Sequence, residues 1–302
     1  MKIALLIGIN YYTSIPEYSL QSINSITTMK NLLISHYGYT ESNIFMLRDD
    51  DPTKMPTRSA ILLALNDLVV ASKSMFSYSE VCIHYCGHGS HIQNEIDGVP
   101  KVEGIIIPVD YKTEGFIEDD VIFKYVRYIQ CPVLLVMDTF NSGNMCDLEY
   151  GFTNMHSTHE NKTIVKNPNI IMFSGSDKNG TVLNIDDITV WDDSVFTNSL
   201  LQSLKTNGYY KAQIGKVNQD IYEWLRQQGK HQPVKHQQVK QLPIPIVLQG
   251  APVLNVEQLV QVIPDNNIIP IRKSILPIQH GYTGVNMGYS NRIPKMNMVY
   301  HS

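Results

Sequence analysis

The alternation of short, continuously apolar runs with segments of helical periodicity is the feature that most constrains this fold. Apolar runs at Ile3–Ile9, Val81–Tyr85 and Val133–Met137 are separated by stretches such as Leu20–Leu33, where apolar residues recur every three to four positions. This alternation is typical of βαβ units and a mainly parallel sheet. Because the runs are continuously apolar, helices must cover both faces of the sheet. The sequence predicts an α/β fold of three layers.

A change of composition near Gly229 predicts the domain organisation. Residues 1–230 form the predicted α/β domain, whereas proline and glutamine interrupt every pattern in residues 231–302. We expect a last strand near Pro243–Leu248, followed by an extended arm or tail rich in Pro and Asn. Further elements are predicted within the domain: strands at Asn43–Leu47, Gly104–Pro108 and Ile170–Phe173, and helices after Thr57, from Ser194 and over about residues 214–228.

Composition and charge exclude several classes of partner. The chain has 302 residues, 43% of them apolar, enough for one sizeable core. A net charge of −4 and the lack of any basic run interleaved with aromatics argue against nucleic acid and against an anionic membrane. No apolar stretch approaches the roughly 18 residues of a membrane helix, and the N-terminal run is too short for a signal peptide. We therefore expect a cytoplasmic protein whose four cysteines are free thiols.

Two strand ends carry the residues that could perform chemistry. Ligands of parallel sheets bind at the carboxyl ends of strands. These ends are followed here by YCGHG at residues 85–89 and by DTFNSG at residues 138–143. Glycines beside His88 allow close backbone approach, so this histidine could act as general acid or base beside an oxyanion site that includes the backbone N–H of Gly89. A structural, hydrogen-bonding histidine is the alternative. The acidic loop at Asp49–Asp51 is interpreted as solvated.

Five segments, in order and at matching spacing, resemble a metacaspase, a caspase relative of peptidase family C14. They are ALLIGINYY, IHYCGHG, EGIIIPVD, IEDDVI and DTFNSG, and the resemblance covers roughly residues 1–230. The resemblance implies a caspase-like fold and cysteine endopeptidase activity. His88 matches the catalytic histidine of the family, but Phe140 stands where the nucleophilic cysteine belongs. A phenyl ring has no lone pair with which to attack a carbonyl carbon. The sequence therefore predicts a fold without peptidase turnover.

The resemblance also assigns a specificity pocket, with departures from the family pattern. Asp138 is retained, Cys86 replaces the serine that usually lines the pocket, and Asn24 is kept while Ser25 replaces an aspartate. Metacaspases prefer Arg or Lys before the scissile bond, and one acidic residue should hold a basic side chain more weakly than two.

Four acidic residues match the calcium site of the family, namely Glu103, Asp119, Asp120 and Asp147. Calcium takes 6–8 oxygen ligands in irregular geometry, so carboxylates from separate loops suit it. Solvated loop acids are the alternative. No organic cofactor is implied.

The leading functional hypothesis is a metacaspase-like pseudo-peptidase that binds a peptide or protein segment, such as part of an active metacaspase. The rival is an active, calcium-stimulated cysteine endopeptidase directed at Arg or Lys. It requires that Phe140 be an engineered or sporadic substitution, or that Cys86 or Cys146 serve as the nucleophile. A nucleotide- or flavin-binding domain is disfavoured because no glycine-rich phosphate loop follows the first strand.

Overall fold

The structure is a computed structural model. It describes residues 1–14, 16, 19–73, 78–96, 99–139, 142, 145–148, 150–153, 156–159, 170–175, 195–209, 216–217, 219–221 and 223–224. The predicted strand near Pro243–Leu248 and the whole of residues 231–302 lie outside this set. The predicted division of the chain at residue 230 stays a prediction.

Within the described residues, five parallel strands form the central sheet, in the spatial order β10-β7-β3-β1-β2. The strands are β1 (Lys2–Gly8), β2 (Ile44–Arg48), β3 (Glu80–Cys86), β7 (Val133–Asp138) and β10 (Ile170–Ser174). The predicted parallel sheet is confirmed. Its central strands are apolar throughout because both of their faces are buried: Ile3–Ile7 of β1 are at most 2% exposed.

Helices cover both faces of this sheet, as predicted. They are α1 (Ser22–Tyr37), α2 (Arg58–Ser72), α3 (Tyr111–Glu114), α4 (Asp119–Val126) and α5 (Val195–Thr206). One core cluster joins α2 and α4 to the sheet through side chains such as Leu65 and Val126. The other joins α1 and α5 to the opposite face through side chains such as Ile26 and Leu200. The predicted cap of α2 is confirmed, because Ala60 N donates to Thr57 Oγ1 at 3.2 Å.

A smaller antiparallel sheet lies beyond the end of β3. It contains β4 (Gly89–Ile96), β5 (Val99–Ile106) and β6 (Ile117–Glu118), and a separate hairpin pairs β8 (Tyr150–Thr153) with β9 (His156–His159). The predicted strand at Gly104–Pro108 is the end of β5, and it pairs with β4 and β6 rather than with the central sheet. Sequence analysis missed β4 because SHIQNEI mixes polar and apolar residues and has no continuous apolar run.

All four cysteines are buried free thiols, as expected for structural residues. In the described part of the chain, no helix has the length and apolar character that crossing a bilayer requires.

Candidate active site

The two strand ends singled out in the sequence are neighbours in the structure. Strands β3 and β7 pair in parallel with Cys86 opposite Asp138. Beyond the strands, Gly87 N donates to Asp138 O at 3.3 Å. The segment that contains His88 and the segment that begins at Asp138 therefore leave the sheet side by side. Phe140, Asn141 and Gly143 lie outside the described residues.

The backbone of His88 is fixed by the hydroxyl groups of two buried tyrosines. His88 N donates to Tyr11 Oη at 2.9 Å, and Tyr85 Oη donates to His88 O at 2.7 Å. The ring of Tyr11 also packs against the imidazole, with 4.5 Å between ring centroids and 40° between ring planes. His88 is 7% exposed. The imidazole thus sits at the edge of the core with its backbone bonded on both sides.

Tyr11 is itself held in an unusual conformation by Asp49. Its φ of 61° lies in the left-handed region, which costs free energy for a side chain of this size. The Asp49 carboxylate offsets this cost by accepting hydrogen bonds from Asn10 N at 2.8 Å and Tyr11 N at 2.6 Å. The interpretation of Asp49 as a solvated loop residue is therefore wrong. A carboxylate one residue beyond the neighbouring strand β2 was the available signal.

Burial keeps the tyrosine network neutral. It is the largest cause that raises the pKa of Tyr11 well above its ordinary value, followed by the nearby Tyr85. Burial likewise raises the pKa of Tyr85. Both phenols therefore keep their protons at physiological pH, and Tyr11 Oη donates its proton to Ile107 O at 2.7 Å. The segment after β1, strand β3 and the segment after β5 are therefore joined by hydrogen bonds next to His88.

Three of the predicted pocket residues come together on the other face of the sheet. Cys86 lies among the side chains of the α1 and α5 core cluster and is 4% exposed. Burial, and next the charge of Asp138, raise the pKa of its thiol well above the ordinary value, while hydroxyl groups of Ser22 and Ser25 act in the opposite direction. Asn24 instead donates to Gln21 Oε1 at 3.4 Å and does not join this group.

A buried polar chain runs beneath Asp138. Thr197 on α5 donates through Oγ1 to Asp138 Oδ2, and the same oxygen lies 3.3 Å from His84 Nε2. His84 and Thr197 are both 0% exposed. Sequence analysis did not identify either residue. The signals were a histidine inside the otherwise apolar strand VCIHY and a threonine inside the apolar face of α5.

Three of the four predicted calcium ligands form a compact acidic cluster. Carboxylate oxygens of Glu103, Asp119 and Asp120 lie within 4.8 Å of one another. The small sheet brings them together, because β5 carries Glu103 and pairs with β6, which leads directly into Asp119 at the start of α4. Glu103 and Asp119 are each 3% exposed, so solvated loop acids are the wrong interpretation for this pair.

Electrostatic repulsion in the cluster is large enough to perturb titration. Burial, and next the charges of Glu103 and Asp120, raise the pKa of Asp119 to about 8. Asp119 also accepts from Asp120 N at 2.9 Å and from Cys146 N at 3.3 Å. Cys146 belongs to the 3-10 turn Met145–Asp147, so the turn that contains the fourth predicted ligand is fastened to the cluster. The side chain of Asp147 lies outside the description. Buried, mutually repelling oxygen donors suit a hard divalent cation.

Gly89 begins β4, opposite Ile106 of β5, directly after His88. The donor role of its backbone N–H towards an oxyanion stays a prediction.

A parallel sheet with helices on both faces, and a histidine at the end of β3 beside the end of β7, define a caspase-like α/β domain. Residues 2–149 match the family model described as metacaspase, peptidase C14 domain. This part of the chain is similar to that family, as the resemblance of the five sequence segments predicted.

Two curated relatives are both described as metacaspase-1. The protein from Eremothecium gossypii is 38% identical over 180 residues, and the protein from Scheffersomyces stipitis is 34% identical over 182 residues. The alignments cover 57% and 58% of this chain but only 37% and 42% of the relatives, so the chain spans about two fifths of their length.

The crystal structure of a protein from Geobacter sulfurreducens aligns with 77% of this chain and with 89% of its own, at 16% identity and a TM-score of 0.48. This similarity is too low to bear on function.

Proposed function

We propose that this chain is a metacaspase-like pseudo-peptidase, which binds a peptide or protein segment at the ends of β3 and β7 without cleaving it. One observation carries the proposal: Phe140 occupies the nucleophile position of DTFNSG, while His88 keeps its place at the end of the neighbouring strand. The general base has a rigid support, but the group that it would activate is replaced by a hydrocarbon ring.

The support of His88 is more extensive than a residual histidine needs. Tyr11 and Tyr85 fix the backbone N–H and C=O of His88 by buried hydrogen bonds, and Asp49 fixes the backbone of Tyr11 by half-buried ones. Such a network is costly if any member is lost, because a buried polar group is then left without a partner. An intact frame around the cleft supports binding as the function that remains.

Neither candidate cysteine offers a replacement nucleophile. The thiolate is the reactive form, and the raised pKa of Cys86 disfavours it. Cys86 also belongs to the core cluster of α1 and α5, whereas Tyr11, against which His88 packs, belongs to the cluster on the opposite face. Cys146 is 1% exposed within that second cluster. Covalent catalysis requires the nucleophile and base within hydrogen-bond reach, and the buried positions of both thiols argue against it.

The chemistry of the cleft favours a segment with a cationic side chain, held less tightly than in a pocket with two acids. Asp138 supplies a carboxylate beside Cys86, and Ser25 supplies a neutral hydroxyl where the family has a second carboxylate. A segment of an active metacaspase would satisfy this requirement at its basic processing sites. Binding of this kind would modulate the active enzyme.

The acidic cluster is proposed to bind Ca²⁺. Glu103, Asp119 and Asp120 would hold the ion, and its charge would replace the proton that the raised pKa of Asp119 retains at neutral pH. Bound calcium would then stabilise the turn around Cys146, because Asp119 accepts the hydrogen bond of its N–H.

Peptidase assays test the proposal. The full chain is incubated with calcium and fluorogenic peptides that contain Arg or Lys before the reporter group, and we expect no cleavage above background. Phe140→Cys restores the nucleophile and should give measurable cleavage of the same peptides. Adding His88→Ala to that variant should lower the rate of cleavage by several orders of magnitude. Cleavage by the unaltered chain that disappears with His88→Ala would contradict the proposal and favour an active endopeptidase.

A further inference from the structure

Helix α5 supports the Asp138 carboxylate from the interior of the protein. Thr197 is 0% exposed, and its hydroxyl donates to Asp138 Oδ2. The same hydroxyl oxygen lies 3.3 Å from His84 Nε2, on β3. Three elements, β3, β7 and α5, thus meet in one buried polar chain at the carboxyl edge of the sheet.

The direction of each hydrogen bond in this chain follows from the donors available. An ionised carboxylate only accepts hydrogen bonds, so the single proton of the Thr197 hydroxyl points to Asp138. The remaining lone pairs of Thr197 Oγ1 can only accept, so His84 Nε2 must be the donor. Burial lowers the pKa of His84 to about 3, so the ring is neutral and carries one N–H. Among the described residues, His84 Nδ1 has no partner, which agrees with a proton on Nε2.

The register of the sheet places this chain directly below the candidate pocket. His84 lies opposite Val136 and Cys86 lies opposite Asp138, two residues further along both strands. Alternate residues of a strand share a face, so His84 and Cys86 both point towards α1 and α5. His84 therefore lies beneath the carboxylate, and Thr197 fills the gap between them.

We propose that Thr197, oriented by His84, is a positioning residue that fixes the Asp138 carboxylate and thereby sets the preference of the cleft for an arginine side chain in the bound segment. The inference rests on the proposed binding function. A guanidinium pairs with a carboxylate through two parallel hydrogen bonds, which requires a fixed carboxylate plane. Among the predicted pocket residues, Asp138 alone carries a charge, so the discrimination depends on the orientation of its carboxylate.

Fluorescence anisotropy on the full chain tests the preference with two labelled, acetylated pentapeptides. They differ only in one central residue, arginine or the uncharged isostere citrulline, and the readout is the ratio of their affinities. Thr197→Val removes the hydroxyl and keeps the shape, so it should lower the ratio about tenfold, the effect expected when a hydrogen bond to a charged group is lost. Thr197→Ser retains the hydroxyl and should restore most of the ratio.

Ser199→Ala is the matched control for this measurement. Ser199 lies on the same helix, is 1% exposed, and donates to Phe196 O at 2.8 Å instead of to the pocket. It should leave the affinity ratio unchanged. If Ser199→Ala lowers the ratio as much as Thr197→Val, or if Thr197→Val leaves the ratio unchanged while arginine is still preferred, the inference is wrong and the proposed function stands.

A second measurement needs no ligand. In the ¹⁵N spectrum of histidine-labelled protein, the His84 signal is assigned as the one that is missing in His84→Gln. Its chemical shifts should be those of a neutral ring protonated at Nε2. Asp138→Asn should shift this signal through Thr197, and the shift should vanish in the Thr197→Val background. A ring protonated at Nδ1, or a shift independent of Thr197, would overturn the buried chain itself. If neither peptide binds the unaltered chain, the proposed function and the preference both fail, and this spectrum alone decides whether Thr197 fixes the carboxylate.

Discussion

Tyr11 makes three contacts with His88 and Ile107 through one phenolic oxygen and one ring. The oxygen accepts from His88 N and donates to Ile107 O, and the ring packs against the imidazole. Its backbone adopts a positive φ, so its position depends on the two hydrogen bonds that Asp49 accepts from Asn10 N and Tyr11 N. At the scale of single residues, the candidate site thus depends on a side chain that is neither one of the two family-matched positions, His88 and Phe140, nor a predicted pocket residue.

Tyr11→Phe should lower the free energy of unfolding by about 1–3 kcal/mol, because it leaves His88 N and Ile107 O without their partner inside the core. Urea denaturation followed by fluorescence measures the change. Tyr12→Phe is the control: Tyr12 is the next residue and is 49% exposed, so its hydroxyl should contribute less than about 0.5 kcal/mol. If the two substitutions lower the free energy of unfolding equally, the buried hydrogen bonds of Tyr11 do not stabilise the fold more than an exposed hydroxyl does.

His84 should make the fold sensitive to acid. Burial lowers the pKa of His84 from 6.5 to about 3. Between these pH values the unfolded chain therefore binds a proton at His84, whereas the folded chain does not. The contribution of neutral His84 to the free energy of unfolding is therefore fully present above pH 6.5 and is lost as the pH falls towards 3. Between pH 6.5 and 4.5 the loss should be about 2–3 kcal/mol. In His84→Gln, which cannot take up the proton, the urea midpoint should change much less over the same range. Parallel pH profiles of the two proteins would assign the acid sensitivity to other groups.

At the scale of elements, the contact between α1 and β1 positions the pocket. A Cβ on Gly8 would lie 2.8 Å from Ile26 Cδ1 and 3.0 Å from the backbone oxygen of Ser22, closer than carbon atoms normally approach. Helix α1 therefore packs against bare backbone at the end of β1. This close approach brings the first turns of α1, with Ser22 and Ser25, next to Cys86.

Gly8→Ala should destabilise the protein by about 1–3 kcal/mol, because the backbone of α1 must move away from β1. Gly175→Ala provides the comparison: its Cβ would meet the Phe196 ring at 3.4 Å, an ordinary contact, and the change should cost less than 1 kcal/mol. Thermal unfolding of the two variants measures the difference. If both cost the same, the packing of α1 on Gly8 is looser than the structure indicates.

Sequence patterns predicted those elements whose environment is uniform. Strands β1, β3 and β7 are buried on both faces, so their apolar runs were unambiguous. Helices α1 and α2 were predicted from apolar periodicity and from the Thr57 cap, whereas α3 and α4 were not predicted. Strand β4 has mixed character and was not predicted. The same holds for the residues of the candidate site. Short sequence motifs identified His88 and Asp138, but they did not identify the roles of Asp49 and Thr197. Those two act across 38 and 59 residues of chain, a pairing that only the folded topology creates.

At the scale of the whole molecule, the acidic cluster connects three parts of the chain. Glu103 belongs to the small antiparallel sheet, Asp119 begins α4, and Cys146 N donates to Asp119 from the turn that follows β7. A cation bound here would hold the small sheet, a helix of the main domain and the segment after the candidate nucleophile position in one arrangement. Without a cation, Asp119 relieves the repulsion by retaining a proton, and no ion links the three parts.

Glu103→Gln should have opposite effects with and without calcium. In a chelator it should raise the free energy of unfolding by about 1–2 kcal/mol, because the amide removes one of the charges that raise the pKa of Asp119. Asp119 can then ionise and accept a hydrogen bond from the amide. In the unaltered chain, calcium at about 100 times its dissociation constant should add about 2.7 kcal/mol, and the variant should lose most of this gain. Thermal unfolding in chelator and in a calcium series measures both effects.

The control variant is Glu114→Gln, which changes an exposed acid on α3 and should alter neither the stability in chelator nor the response to calcium. A calcium response retained in Glu103→Gln would place the ion elsewhere, because the cluster would then have lost a ligand without losing the cation.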